Sequence, residues 1–189
     1  MIDNKTEGNI SIRLDDELLL ETIELKDAEV IFFFFFNQRA YLGKWLPFVK
    51  ATQSVEDIKH FVVYSISAGL ISQEYVFKIS YQNEFAGLIG FRNVTENRKN
   101  IELGYWLSEH FRHKGIIIRS AKVLCNFAFE QLSIPEVIVR CAINNMDSRK
   151  IPEQLGFDHI KTEVLSEQLS DGTFTDVVVY SLEHQNFKR

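Results

Sequence analysis

Little in this 189-residue chain can cross-link it, clamp a metal or carry it into a membrane. Its two cysteines, Cys125 and Cys141, sit in apolar runs with no C-x-x-C spacing. Buried free thiols are therefore expected, in a reducing, cytoplasmic setting. The five histidines form no i, i+4 pair and no other ligand pattern, so no metal is expected. Positive charge is in deficit: 21 Lys and Arg face 26 Asp and Glu, a formal net charge of −5. Direct nucleic-acid binding, which rests on neutralising phosphates, loses its basis, and basic or cationic partners are more natural. The one suspicious apolar run, Val30 to Phe36, falls far short of the roughly 20 residues that span a bilayer. The opening "MIDNKTEGNI" lacks the basic and apolar regions of a secretory signal, so no membrane partner is expected. Neither G-x-x-x-x-G-K-S/T nor G-x-G-x-x-G occurs, which weighs against a nucleoside-triphosphate or dinucleotide site.

Against these gaps stand 46% hydrophobic and 25% charged residues, ordinary proportions for a folded domain. No repeat or linker divides the chain. Ile10, Ile12 and Leu14 alternate with polar neighbours and predict a strand, with a second at Leu18 to Thr22. Lys26 to Tyr41 has helix length, though strand is its rival because Phe favours both. As a helix, its Phe run implies cover on more than one face. In "SVED", Ser54 and Asp57 form a capping box for a helix carrying Val55, Ile58, Phe61, Val62 and Ile66 and ending at Gly69. From Tyr75 the period becomes two in "YVFKI", "FAGLIGFRNV" and "IELGYWL", an antiparallel meander. A helix from Ile116 to Gln131, the buried strand "VIVRC", a short helix at Asp147 to Leu155 and strands near Ile160–Leu165 and Val177–Leu182 follow. The fold class expected is α/β (α+β), a mixed, mostly antiparallel sheet with helices on both faces.

Two stretches carry chemistry. In "HFRHKGIIIRSA", Arg112, His113, Lys114 and Gly115 stand where a strand runs into a helix. The first amides of a helix lack internal partners and its dipole favours an anion, so a phosphate would sit well there. A solvated charge cluster is the plain alternative. In "VRCAINNMDSRKIPEQLGF", Asn145 or Asp147 caps a short helix, and Pro152 cannot bond back to the carbonyl of Ser148.

With "YLGKWLPFVKATQSVEDIKHF" and "DGTFTDVVVYSL", these stretches resemble, in order and over nearly the full length, the GNAT-superfamily N-acetyltransferases. The likeness is strongest to the branch of ribosomal-protein serine and alanine N-acetyltransferases. It implies one acetyltransferase domain over residues 10–184, a twisted sheet with a splayed central strand pair, and acetyl-CoA as co-substrate. The family's R/Q-x-x-G-x-G/A loop, which holds the pyrophosphate, falls on Arg112, His113, Lys114, Gly115, Ile116 and Ile117. His113 stands where many members carry glycine. Trp106 and Leu107 fall on the splayed strand that receives the pantetheine arm, Asn145 on the cofactor-contacting asparagine, and Ser148 on the hydroxyl that protonates the leaving thiolate. The branch also allows a homodimer.

Amide formation needs a neutral amine, a stabilised oxyanion and a proton for the thiolate. Some relatives carry a glutamate where this chain has Gln168. Glu102 is then the candidate base, acting directly or through water, and Glu167 is the rival. A protein N-terminal amine is the expected acceptor. The alternatives are a small amine, such as a polyamine or an aminoglycoside-like compound, and a non-catalytic acyl-CoA-binding sensor. The acidic segment of Asp158, Glu163, Glu167, Asp171 and Asp176 would draw a cationic acceptor if it bordered the cleft.

Overall fold

Alternating apolar residues build a sheet whose central strands are buried on both faces. The computed structural model describes residues 2–5, 9–72, 74–95 and 97–187, the side chains of 2–5 and 70–72 excepted. Nine strands join in the order β1-β2-β3-β4-β5-β6-β7-β9-β8. They are β1 (Ile2–Lys5), β2 (Asn9–Arg13), β3 (Leu18–Thr22), β4 (Val76–Tyr81), β5 (Glu84–Arg92), β6 (Asn100–Leu107), β7 (Glu136–Ala142), β8 (Asp158–Gln168) and β9 (Phe174–Glu183). The helices are α1 (Ala28–Asn37), α2 (Arg39–Leu42), α3 (Pro47–Ala51), α4 (Val55–Ser72), α5 (Ile116–Glu130) and α6 (Met146–Leu155).

On one face Leu124, Phe127 and Ala128 of α5 meet Phe77, Phe91, Ile101 and Leu103. On the other, Ile31 and Phe35 of α1 and Ile58 and Val62 of α4 meet Leu88 and Trp106. Each such side chain removed from water contributes about 2 kcal/mol.

Every neighbouring pair is antiparallel except β6 and β7, which are parallel and therefore need the long crossover through α5. Their pairing stops after Asn100–Glu136, Ile101–Val137 and Glu102–Ile138. From there Leu103–Leu107 and Val139–Ala142 diverge, and the sheet opens into a wedge.

Some expectations need correction. The helix predicted over Lys26–Tyr41 is two, broken at Gln38, whose φ of −116° and ψ of 24° lie outside the helical region. Five consecutive phenylalanines spaced at 100° cannot all face the sheet. Phe35 is buried, while Phe33 and Phe36 remain 62% and 63% exposed, so the run is not covered all round. On α4 the capping box forms, with Asp57 N donating to Ser54 Oγ and Ser54 N to the Asp57 carboxylate. Its inner face is Ile58 and Val62, whereas Phe61 and Ile66 are exposed. Gly69 does not end this helix, which runs on to Ser72. A Cβ there would stand 3.0 Å from the Glu74 carbonyl, so the glycine serves the returning chain.

Candidate active site

The wedge opens into a cleft of about 450 Å³, within the usual range for a small-molecule site. Its walls are the end of β6 (Tyr105, Trp106, Leu107), the segment Phe111 to Ile118 entering α5, the start of α6 (Asn145, Asp147, Ser148, Ile151), and the α2 region with Tyr41, Leu42, Trp45 and Leu46. Ten of the expected site residues meet here: Trp106, Leu107, Arg112, His113, Lys114, Gly115, Ile116, Ile117, Asn145 and Ser148. Glu102 is not on these walls.

Gly115 is the N-cap of α5, in the left-handed region at φ 67°, and no side chain caps the helix. The first turn therefore keeps its unpartnered amides. A Cβ on Gly115 would meet nothing nearer than Ile118 Cγ2 at 3.9 Å, so the space above the helix end is open. His113 also has a positive φ, 63°, a conformation that costs a non-glycine residue about 1 kcal/mol. The cations flanking the helix end are anchored: Arg112 pairs with Asp147 and lies 5.8 Å from the Tyr41 ring. Lys114 Nζ lies 5.1 Å and 5.3 Å from the Tyr81 and Phe111 rings.

Asn145, the N-cap of α6, accepts a hydrogen bond from Ser148 N at 3.3 Å. Ser148 Oγ lies 3.2 Å from Cys141 Sγ, and the Tyr105 hydroxyl donates to the Ser148 carbonyl at 2.8 Å. Burial pushes the Tyr105 phenol well above its ordinary range, so it remains a proton-bearing donor at neutral pH. Burial likewise raises both thiols, Cys125 to about 12, and both cysteines are free. Tyr105 was the residue least visible in the sequence: only the absent amide of Pro152 pointed to a carbonyl in need of a partner.

Glu102 is buried, accepting from Arg92 Nε at 2.9 Å and Asn93 Nδ2 at 2.9 Å. Strand registers put Glu102, Trp106, Arg140, Glu163 and Glu167 on one sheet face, opposite α5. Glu163 binds Arg140 and Lys161, which hold its carboxyl down at about 2. It is an ion-pair partner and no base for an amine. A bulge separates Glu163 from Glu167, with Leu165 at φ 45°, yet both pair with inward-facing residues of β9, Val177 and Thr175. At the hairpin tip Ser170 Oγ donates to the Gly43 carbonyl, and Lys50 Nζ donates to the Ser170 carbonyl at 3.0 Å. The acidic hairpin is thereby fastened to the helices that form the upper cleft wall. Trp45 stands on that wall. Among the described residues no three His, Cys, Asp or Glu are grouped to hold a metal ion, and no helix is long and apolar enough to cross a membrane.

Known proteins share this fold. YdaF of Bacillus subtilis (strain 168), named as a candidate ribosomal N-acetyltransferase, is 27% identical over 180 residues, 90% of this chain and 93% of that protein. The structure of the ribosomal L7/L12 alpha-N-protein acetyltransferase RimL, solved with coenzyme A in disulfide linkage to one of its cysteines, superposes with a TM-score of 0.88 at 22% identity, covering 93% of this chain and 99% of RimL. The microcin C7 self-immunity acetyltransferase MccE, solved with acetyl-CoA and AMP, gives 0.86 at 23% identity, covering 91% and 95% of the two chains. Residues 17–158 match the acetyltransferase (GNAT) domain, so the chain belongs to that family.

Proposed function

We propose that this acetyltransferase moves the acetyl group of acetyl-CoA to the α-amine of a protein N-terminus, within one ternary complex, and that residues 10–184 make up the working domain. The observation that carries the reading is the uncapped start of α5, opening into a cleft beside the unpaired seam of β6 and β7. An anion fits there because the amides are unpartnered and the glycine leaves them uncovered. Arg112, His113, Lys114, Gly115, Ile116 and Ile117 hold the pyrophosphate in this reading. The free strand edge at Trp106 and Leu107 takes the pantetheine arm, and Asn145 adds a polar contact. Acetyl-CoA supplies the thioester, and the chain supplies orientation and protons. As the C–N bond forms and the C–S bond breaks, Ser148 Oγ gives its proton to the departing sulfur and takes one back from solvent. The attacking amine gives one up to Glu102 or Glu167 through water.

An α-amine, with a pKa near 8, is about one-tenth neutral at pH 7, whereas a lysine is neutral at only about one part in a few thousand. An N-terminal acceptor therefore tolerates a remote base, and Glu102, bound to Arg92 and Asn93, is remote. The names of RimL and YdaF support the same acceptor class. A cytoplasmic enzyme, free of metal and of nucleic-acid or membrane partners, goes with this reading, and a homodimer is compatible with it.

The test is acetyl-CoA-dependent transfer, followed by mass spectrometry, to peptides with free Ser, Ala or Met N-termini, to spermidine, to an aminoglycoside and to an N-terminally blocked lysine peptide. Preference for free N-termini supports the reading. Transfer to the small amines alone replaces the acceptor class, and cofactor binding without any transfer points to a sensor or to an acceptor outside this panel.

A further inference from the structure

We infer that Tyr105 is a positioning residue that replaces the backbone donor Pro152 lacks and thereby fixes Ser148 in the cleft. The inference rests on the reading of Ser148 as proton donor to the thiolate. Pro152 lies inside α6, four residues after Ser148. In a regular helix the amide of that position would bond the Ser148 carbonyl, but proline has no N–H and its ring crowds that carbonyl. This carbonyl is part-buried, and a carbonyl withdrawn from water without a donor costs up to about 1–3 kcal/mol. The Tyr105 hydroxyl meets it at 2.8 Å, coming from a strand 43 positions earlier in the chain.

The partners of Ser148 then form a complete set. Its amide is bound by Asn145 Oδ1, its carbonyl by the Tyr105 hydroxyl, and its Oγ lies beside Cys141 Sγ. Asn145 belongs to the helix start, but Tyr105 and Cys141 belong to β6 and β7, beyond the point where those strands stop pairing. Ser148 is therefore referenced to both lips of the wedge at once. The Tyr105 bond is the only one of the three that crosses from α6 to β6. Losing it frees the first turn of α6 to shift relative to the strand that receives the thioester, and small displacements of a reacting group lower the rate of the chemical step.

Four proteins test the inference: the parent, Tyr105→Phe, Pro152→Ala and the double variant. Tyr105→Phe removes one oxygen and should lower kcat about tenfold with acetyl-CoA affinity, read by calorimetry, within about twofold. Pro152→Ala restores the amide and should stay within about twofold of the parent. In that background the Tyr105→Phe loss should shrink to about twofold, because the carbonyl has its helical donor again. Pro152→Leu, which also restores the N–H, replaces the alanine variant if the smaller side chain loosens the helix. An equal loss in both backgrounds would overturn the inference and make Tyr105 a proton donor in its own right. No loss of kcat in Tyr105→Phe would overturn it as well. Full activity in Ser148→Ala would instead remove the reading beneath it, whatever the Tyr105 variants do.

Discussion

α5 begins at Gly115 with no side chain over its first amides, whereas α6, facing the same cleft, begins at Asn145, whose side chain takes the amide of Ser148. The two ends are also tied to one another, since Arg112 before α5 pairs with Asp147 in the first turn of α6. A bare helix end offers backbone donors to a ligand. A capped one is itself satisfied, and what it offers is a side chain held in place. In the proposed reading the cleft thus separates binding from proton transfer by a difference as small as Gly115 against Asn145.

Substitutions can break this contrast. Gly115→Asp puts a carboxylate where the anion is bound and should weaken acetyl-CoA binding about 100-fold, while Gly115→Ala, strained only by its φ, should lose several-fold at most. Equal affinities for Gly115→Asp and the parent in calorimetry would mean that the helix end is not the cradle. Ser148→Ala should lower kcat about 30-fold with the acetyl-CoA Kd unchanged, as expected for a group that acts in the transition state. A loss confined to affinity would move Ser148 to the binding side of the comparison. Asn145→Ala should lower stability in urea by about 1 kcal/mol through loss of the cap, and Asn145→Asp should restore most of it. The smallest change is Asp147→Asn, which releases Arg112 and removes a nearby negative charge. Acetyl-CoA should bind about two- to threefold more tightly at low salt, and the gain should vanish at high salt.

That the residues of the two helix starts meet in one cleft was largely legible because their signals are local. A glycine between basic residues and an apolar helical run marks the start of α5, and a side-chain oxygen three residues before Ser148 marks the start of α6. The tie from Tyr105 to Ser148 was hidden, since it depends on two strands parting after Glu102 and Ile138, and no local pattern encodes where pairing stops. On the acceptor side the signals were weaker still. Period arguments treated the phenylalanine run as one covered element, but exposure of Phe33 and Phe36 follows from the break at Gln38 and from which ridge meets Trp106. Alternation puts Glu163 and Glu167 on one face, and they stay there because the irregularity between them adds two residues, which keeps the parity; one extra residue would have turned Glu167 over. Gly69 misled for a different reason: glycine inside a helix can serve the approach of a neighbouring backbone as well as an ending.

The fastening of the hairpin tip has a bearing on the order in which the molecule assembles. Tyr105 and Ser148 are 43 positions apart, whereas Lys50 and Gly43 are joined to Ser170 across 120 and 127 positions. Closing the longer loops costs more chain entropy and comes later in folding. The cleft lip built from residues 100–155 is therefore expected to take shape while the wall fastened by the hairpin tip is still open, so that the proposed cofactor side is organised before the proposed acceptor side.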